Sequence, residues 1–583
     1  MRTAYTLLLS FLIFLLVFIG YFHQVTAFTQ DLGRHLLLGK IIFTTHLVPT
    51  TNLLSYTYPS FPFLNHHYLS EVLFYLITTY TGIFGLLSIT TLLMLLSFGL
   101  LFFFSYRRTG ISTLPASLLI IPILFERTDI RPEMFSYFFF SLFLVILYKN
   151  RNSQTKLLSL LPLITLLWVN MHIYFFMGIL LVFLFFIDGL LKNRRNLTCR
   201  YNKQLLTILI LTLCATLINP QGITGALYPL TAFQNYGYAI EENQNIFFLE
   251  SLGFHKNSVE YFKFAVVLLF MSLILRNKNT RPIDWLLALT FSIAGAVAVR
   301  NLPLFALASL IPIASNLKPL LKKLSAIATH FPLLSASRQV HLFFLLLCLF
   351  SIWQMQVAIH KNAFGFSVNN GAAKAVNFIE THHIRGPIFN NFDIGSYLAY
   401  RLYPREKVFV DGRPEAYPET FFQKIYIPIQ QDKSSFADAE KTYNFSVVFF
   451  THTDQTPWAE IFLKDMLQNP SWKVVYLDET VIIFLKDIPR NRQIIQKYGM
   501  DHTALNASYN QLDTQSLLQL ASFFERTDDL QNLFPVLQRL LILDPTNCQA
   551  LYNRASIAIN HHDPLASSYT ASYERTCNKR LLQ

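Results

Sequence analysis

Two segments near the start of the chain each carry an acid and a histidine at helical spacing. Asp31 and His35 are four residues apart, on one face of a predicted helix running from Asp31 to about Phe43. His67 and Glu71 have the same spacing on a second predicted helix, from near His66 to about Tyr80. A carboxylate beside an imidazole suits proton abstraction from a hydroxyl, or capture of a divalent cation. Asp31 also stands where a helix begins, and a carboxylate is stabilised there by the free amides. Spacing alone leaves these readings open.

A second charged group follows at Phe125 to Glu133, where Glu126, Asp129 and Glu133 alternate with Arg127 and Arg131. These acids suit a metal, and the arginines suit a phosphate. The plainer reading is a self-neutralised loop with Pro132 opening the next helix. Glu133 is the more telling acid, because it lies at the edge of an apolar run, where a carboxylate is costly. Arg300-Asn301 interrupts another pair of apolar runs, as a lipid-phosphate contact or as a snorkelling anchor. Trp168-Val169-Asn170-Met171-His172 also sets two polar groups between apolar runs, and Asn219-Pro220-Gln221-Gly222 reads first as a terminator.

The elements that must position these residues are membrane helices. The chain has 583 residues, 53% hydrophobic and 14% charged, with 55 Phe. Roughly eleven apolar stretches of near-spanning length run from Met1 to Ala358. They fall at about 4–22, 84–106, 111–125, 134–149, 157–171, 173–191, 204–218, 261–276, 283–299, 302–317 and 340–358. Every second gap is basic: Arg107-Arg108, Lys149 to Lys156, Lys192 to Lys203, Arg276 to Arg281 and Lys318 to Arg338. By the positive-inside rule those gaps are cytoplasmic. The first stretch is then a retained signal anchor with its N-terminus inside. The gaps holding Asp31, Glu71, Asp129, the acids Glu241, Glu242 and Glu250, and Arg300 are outside, as is everything after Ala358. The net charge of +13 follows largely from these loops, which removes the case for nucleic-acid binding. The location expected is the plasma membrane.

The expected architecture is an all-α polytopic membrane domain over 1–360, with a long outer loop at 23–83 whose two helices lie at the membrane surface. A small exported α/β domain follows over 361–490, and a helical-repeat end over 491–583. In the α/β domain, helices are expected at Gly371 to His382 and Gly395 to Leu402. Strands are expected at Pro387 to Phe392, Lys407 to Val410, Val447 to Phe450 and, as a hairpin, Val474 to Leu485. Asp411-Gly412-Arg413 reads as a turn before it reads as a site. Leu517, Leu520, Ala521 and Phe524, with Leu551 and Ala555 thirty-four residues after Leu517 and Ala521, fit the tetratricopeptide period for up to two repeats. No Cys-x-x-Cys, P-loop or nucleophile elbow is present. Cys548 and Cys577 fall in the expected exported tail, free or paired.

These motifs resemble a group of uncharacterised bacterial membrane proteins similar to the GT-C glycosyltransferases. The resemblance rests on Asp31-x-x-x-His35-x-x-x-Gly39, Val48-Pro49, Ser55-Tyr56-Thr57 and His67-Tyr68-Leu69-x-Glu71. It continues through Arg131-Pro132-Glu133, Trp168-x-Asn170-x-His172, Asn219-Pro220-x-Gly222 and Arg300-Asn301 to Asp393-x-Gly395 and Asp411-Gly412-Arg413. It implies transfer of a hexosyl or pentosyl group from a polyprenyl-phosphate donor at the outer membrane face. Asp31 is then the base or a metal ligand, with His35 and Glu71 beside it. Asp129 and Glu133 complete a Mg or Mn site, and Arg131 and Arg300 hold the lipid phosphate. Two departures stand out: Gln30-Asp31 replaces the usual pair of acids, and the aromatic usual near Arg34 is missing. The alternatives are a transporter or flippase of a lipid-linked precursor, and an inactive scaffold that docks a protein partner through its helical tail. A flippase wants polar groups through the full depth of several spans, whereas these spans are polar mainly at their outer ends.

Overall fold

The computed structural model describes residues 2–25, 31–151, 156–192, 196–197, 199–232, 236–276, 280–328, 336–369, 371–500, 509 and 511–578. Gln30 lies outside these. Each apolar stretch falls on a helix: Arg2–Tyr21, the later part of Tyr68–Thr109, Thr113–Leu124, Glu133–Asn150, Leu160–Val169, Phe175–Lys192, Arg200–Ala215, Asn257–Arg276, Pro282–Val297, Leu302–Ala328 and Ala336–Asn362. Among the described residues, six helical stretches are long and apolar enough to cross a membrane, so the protein is a membrane protein. Others are short. The 10 residues of Leu160–Val169 reach about 15 Å at the helical rise, half of a hydrocarbon core.

The second helix of the first outer loop is continuous with the span that follows it. Tyr68–Thr109 runs for 42 residues, interrupted only where Gly82 takes φ 69°. Without a proline in this stretch, the break depends on the residue type that adopts positive φ without strain. The surface helix and the span therefore form one broken rod, not two separate elements.

The basic gaps gather at one end of the bundle. Arg108 donates to the Tyr148 carbonyl (3.3 Å), and Lys318 to the Arg108 carbonyl (2.9 Å). Arg151 pairs with Asp188 on the Phe175–Lys192 helix (2.6 Å), and Asp188 also accepts from the Ile283 amide (3.0 Å). Buried charge at that end is thereby neutralised within the bundle.

The α/β domain is built on four strands: β1 Ile388–Asn390, β2 Val447–Thr451, β3 Trp472–Leu477 and β4 Val481–Lys486. Their order is β1-β2-β4-β3; β1 and β2 are parallel and the other pairs antiparallel. The strands are Val, Ile and Phe because both faces are covered. Val447, Phe449, Ile483 and Leu485 share a core with Ile394 and Leu398 of the Phe392–Leu402 helix and with the bundle. Phe389, Phe450 and Phe484 face Phe436 and Phe462 on the other side.

Lys407–Val410 is not a strand of this sheet. The Asn390 side chain takes the place of a neighbouring strand, accepting from the Phe409 amide (2.9 Å) and donating to the Val410 carbonyl (2.8 Å). On its other edge the segment meets the first outer loop, with a single bridge from Ser55 to Val408. Ser55 and Thr57 hydroxyls donate to the Phe409 carbonyl (3.0 and 2.9 Å). Arg413, fully buried, forms a two-pronged pair with Asp411 (2.8 and 2.7 Å), donates to Asn52 Oδ1 (2.8 Å) and lies over the Phe63 ring. Asp411-Gly412-Arg413 thus fastens the first outer loop to the α/β domain.

The chain ends in four helices, Thr514–Arg526, Leu530–Leu543, Cys548–Asn560 and Ala566–Cys577, with Cys548 and Cys577 joined in a disulfide. Arg526 donates to the Asp454 carbonyl (2.8 Å) and to the His452 carbonyl (2.5 Å), docking the first of them on the α/β domain.

Replacing Asp411 with Ala strands Arg413 as an unpaired buried charge, at a cost of about 3–5 kcal/mol. Its thermal unfolding in detergent should fall well below the wild type, with earlier proteolytic release of the C-terminal third. A wild-type melting temperature would show that the pair does not hold the two parts together.

Candidate active site

At the end of the bundle opposite the basic gaps, seven segments enclose a cavity of roughly 130 Å³. They are the first outer loop, the Arg127–Glu133 loop, His172–Ile173, the stretch carrying Tyr228, Ala232 and Tyr236, the Ile240–Asn243 loop, Arg300, and the Gly412–Glu415 turn of the α/β domain. Each reaches it for a local reason. The first helix of the outer loop, Leu32–Thr45, packs tightly on the Tyr68–Thr109 helix because Gly39 lets backbones touch. A Cβ there would lie 2.0 Å from the Glu71 carbonyl oxygen. Pro132 caps Glu133–Asn150 and points Glu133 inward. Trp168 and His172 are tied through Ser136, whose hydroxyl meets Trp168 Nε1 (2.7 Å) and His172 Nδ1 (2.8 Å). Asn170 donates to the Ile218 carbonyl and accepts from Tyr68 (both 2.9 Å). Asn219 closes its own turn through the Thr216 and Gly222 carbonyls (2.8 Å each), as a terminator does.

Asp31 precedes its helix but makes no side-chain cap hydrogen bond. Its carboxylate instead spans two arginines: Arg34 on Oδ1 (3.2 Å) and Arg131 on Oδ2 (3.2 Å). Burial would raise its pKa, but Arg131, then Arg34 and His35, outweigh that and hold it below the usual carboxylate range. His35 pairs not with Asp31 but with Glu71, donating from Nδ1 to Oε1 (2.8 Å). Glu71, fully buried, accepts from Asn65 on its other oxygen (2.7 Å) and lies behind the cavity wall, where it orients the His35 ring. His67 stands edge-on to His35 and stacked on His172, with ring centroids 5.4 and 5.1 Å away. Burial pushes the imidazoles of this group down, His66 to about 3, so they are neutral near pH 7.

The second group centres on Glu242, a residue whose importance the sequence does not signal. Its Oε2 accepts from Arg127 and from Arg131 (3.1 Å), and its Oε1 lies 4.0 Å from Arg300. Burial opposes ionisation, but Arg127, Arg131 and Arg300 together drive its pKa far down. Arg127 also holds Glu133 (2.6 Å). Arg300 is fixed by Tyr174 (3.1 Å) and Asn243 (2.9 Å). Arg131 and Arg300 therefore share one cavity with Asp31 and His35. Glu415 closes the floor, its carboxyl pushed up by burial against the pull of Arg34.

The three acids proposed as cation ligands do not assemble a site. Asp129 does not line the cavity, Asp31 is clamped by two arginines and Glu133 by a third. Among the described residues no group of three His, Cys, Asp or Glu side chains is arranged to hold a metal ion. A divalent cation would have to displace guanidinium groups already in place, and the donor set does not fit one.

No known sequence family and no curated protein matches the chain. Solved structures do. The archaeal oligosaccharyltransferase AglB from Archaeoglobus fulgidus, in complex with an inhibitory peptide and a dolichol-phosphate, aligns with a TM-score of 0.56 at 12% identity. The match covers 98% of this chain and 87% of that one. The Archaeoglobus fulgidus oligosaccharyltransferase in its apo form aligns with a TM-score of 0.56 at 11% identity, over 92% and 86%. ArnT from Cupriavidus metallidurans, bound to undecaprenyl phosphate, gives 0.48 at 12% identity, over 83% and 98%. The fold resembles that of the archaeal oligosaccharyltransferase along nearly the whole chain, and at such identity the likeness is one of fold.

Because the pKa of Asp31 is depressed in the folded state, its ionised form adds stability above the unfolded value, near 4. That contribution is lost as pH falls through the lower folded value. The gap in melting temperature between wild type and Asp31→Asn should stay constant from about pH 8 to 5 and close below about pH 4. A gap that closes already at pH 6 would mean that the arginines do not hold Asp31 ionised.

Proposed function

We propose that the protein is a GT-C-type membrane glycosyltransferase that moves a sugar from a polyprenyl-phosphate donor to an acceptor hydroxyl at the outer membrane face. The observation that carries this is the convergence of Asp31 with Arg127, Arg131 and Arg300 on one cavity, in a fold shared with oligosaccharyltransferases. The chemistry needs a proton acceptor and a cationic seat for a leaving phosphate within one small space. The dolichol-phosphate in the AglB complex is a lipid of the class proposed here as donor carrier.

In this reading the acceptor oxygen attacks the anomeric carbon of the donor. A new C–O bond forms as the bond from that carbon to the phosphate oxygen breaks. Asp31 Oδ1 or Oδ2 takes the acceptor proton, and the lipid phosphate leaves with the bonding electron pair. Arg131 and Arg300 neutralise the second negative charge that it gains. His35, oriented by Glu71, is a hydrogen-bonding wall beside Asp31. Asp31 is a weak base in its clamped state, and it becomes available as Arg131 turns to the phosphate. No step is assigned to a cation.

The basic gaps at one end of the bundle and the cavity at the other support the outer-face reading. A disulfide in the tail agrees, since such bonds persist in oxidising compartments. The helical end is then an exported surface on which a protein partner docks.

Asp31→Asn should lower sugar transfer from a polyprenyl-phosphate sugar by about 10²–10⁴-fold while the protein stays folded. The measurement is radiolabelled sugar transfer by protein in nanodiscs, with thermal unfolding as the control. Full activity in a folded Asp31→Asn protein would remove Asp31 as the base.

A further inference from the structure

The arginines of the cavity are already occupied by an anion, and that anion belongs to the chain. We propose that the Glu242 carboxylate is a built-in stand-in for the donor phosphate, seated on Arg127, Arg131 and Arg300 and exchanged for the phosphate when the lipid binds. The identity of the anion as a lipid phosphate rests on the transferase reading above; the exchange itself rests on the geometry.

Three features support it. First, one carboxylate faces three guanidinium groups that come from two other segments of the chain. A carboxylate and a phosphate use the same guanidinium N–H donors in the same planar geometry. Second, the charges match an exchange. Around the cavity Arg34, Arg127, Arg131 and Arg300 face Asp31, Glu133, Glu242 and Glu415. Replacing the single charge of Glu242 by that of a phosphodiester leaves this balance unchanged. Third, Glu242 sits on a carrier short enough to move by itself. Glu241–Asn243 is one turn between extended residues Ile240 and Gln244. Its neighbours are held separately: Glu241 by Lys256 (2.8 Å), and the Gln244 carbonyl by the Val299 amide (3.2 Å). Asn243 stays on Arg300 (2.9 Å), so the seat keeps its shape when Glu242 leaves.

The alternative role for Glu242 is a permanent brace that keeps four arginines from repelling one another. The two roles predict opposite results. A stand-in competes with phosphate, and a tethered competitor has a high effective concentration. Removing it should tighten phosphate binding. Removing a brace should weaken it.

The experiment uses the full-length protein in nanodiscs and two probes, farnesyl phosphate and inorganic phosphate. Glu242→Gln should bind both more tightly than wild type, by on the order of tenfold, and Arg300→Ala should lose that gain. Weaker or unchanged affinity in Glu242→Gln would overturn the proposal. Should that variant fail to fold, wild type answers the question by carbodiimide labelling with mass spectrometry. Glu242 should be protected without phosphate and labelled with it, while Glu133 stays protected in both. Continued protection of Glu242 under saturating farnesyl phosphate would equally overturn the exchange. Sugar transfer measured in parallel separates the two ideas. Transfer that depends on Asp31, with unchanged phosphate affinity in Glu242→Gln, leaves the enzyme reading standing and removes the exchange. Tighter phosphate binding without any transfer does the reverse.

Discussion

The structure is organised around one electrostatic requirement: charged side chains at the end of an apolar helical bundle have to neutralise one another. These side chains are largely buried, and an isolated buried ion costs several kcal/mol. Asp31, Glu133 and Glu242 are therefore each held by at least one guanidinium group, and two of the arginines are shared between acids. Sharing draws the loops together. The Arg127–Glu133 loop reaches the first outer loop through Arg131, and the Ile240–Asn243 loop through both Arg127 and Arg131. The cavity is the space that these bridges leave.

The rest of the fold serves that arrangement. Close packing at Gly39 sets the first outer helix against the Tyr68–Thr109 rod and so fixes the spacing of His35 from Glu71. The Trp168–Ser136–His172 ties fix the wall behind them. The α/β domain supplies the floor, because Gly412 lies between the buried partners Asp411 and Arg413 and Pro414 and Glu415 follow directly on them. That domain is more than an appendage, since it closes the site.

Much of this was readable in the chain. The apolar runs located the helices, although only six helical stretches among the described residues are long and apolar enough to cross a membrane. The alternation of Val, Ile and Phe located β1, β2 and the β3–β4 hairpin. What periodicity could not supply was pairing between distant loops. His35 with Glu71, and Asp31 with Arg131, cross between elements, so a reading by spacing within one helix joined the wrong partners. Glu242 could not be singled out for the same reason. Nothing local distinguishes it from Glu241, which points to Lys256 instead. Lys407–Val410 looked like a strand by composition, but an asparagine side chain occupies the edge where a neighbouring strand would pair. The break at Gly82 left two expected elements as one, since an isolated glycine in an apolar run marks a kink as readily as a boundary.

The tie between Asn52 and Arg413 has a consequence for biogenesis. These partners are 361 positions apart in the chain. During synthesis the loop after the first membrane helix is made early, and its buried amide waits for an arginine that leaves the ribosome many helices later. Insertion of the bundle alone thus leaves the cavity open on one side. Only when the last third has folded against the bundle is the cavity closed, so the finished state of the cavity itself reports that both ends of the chain have come together.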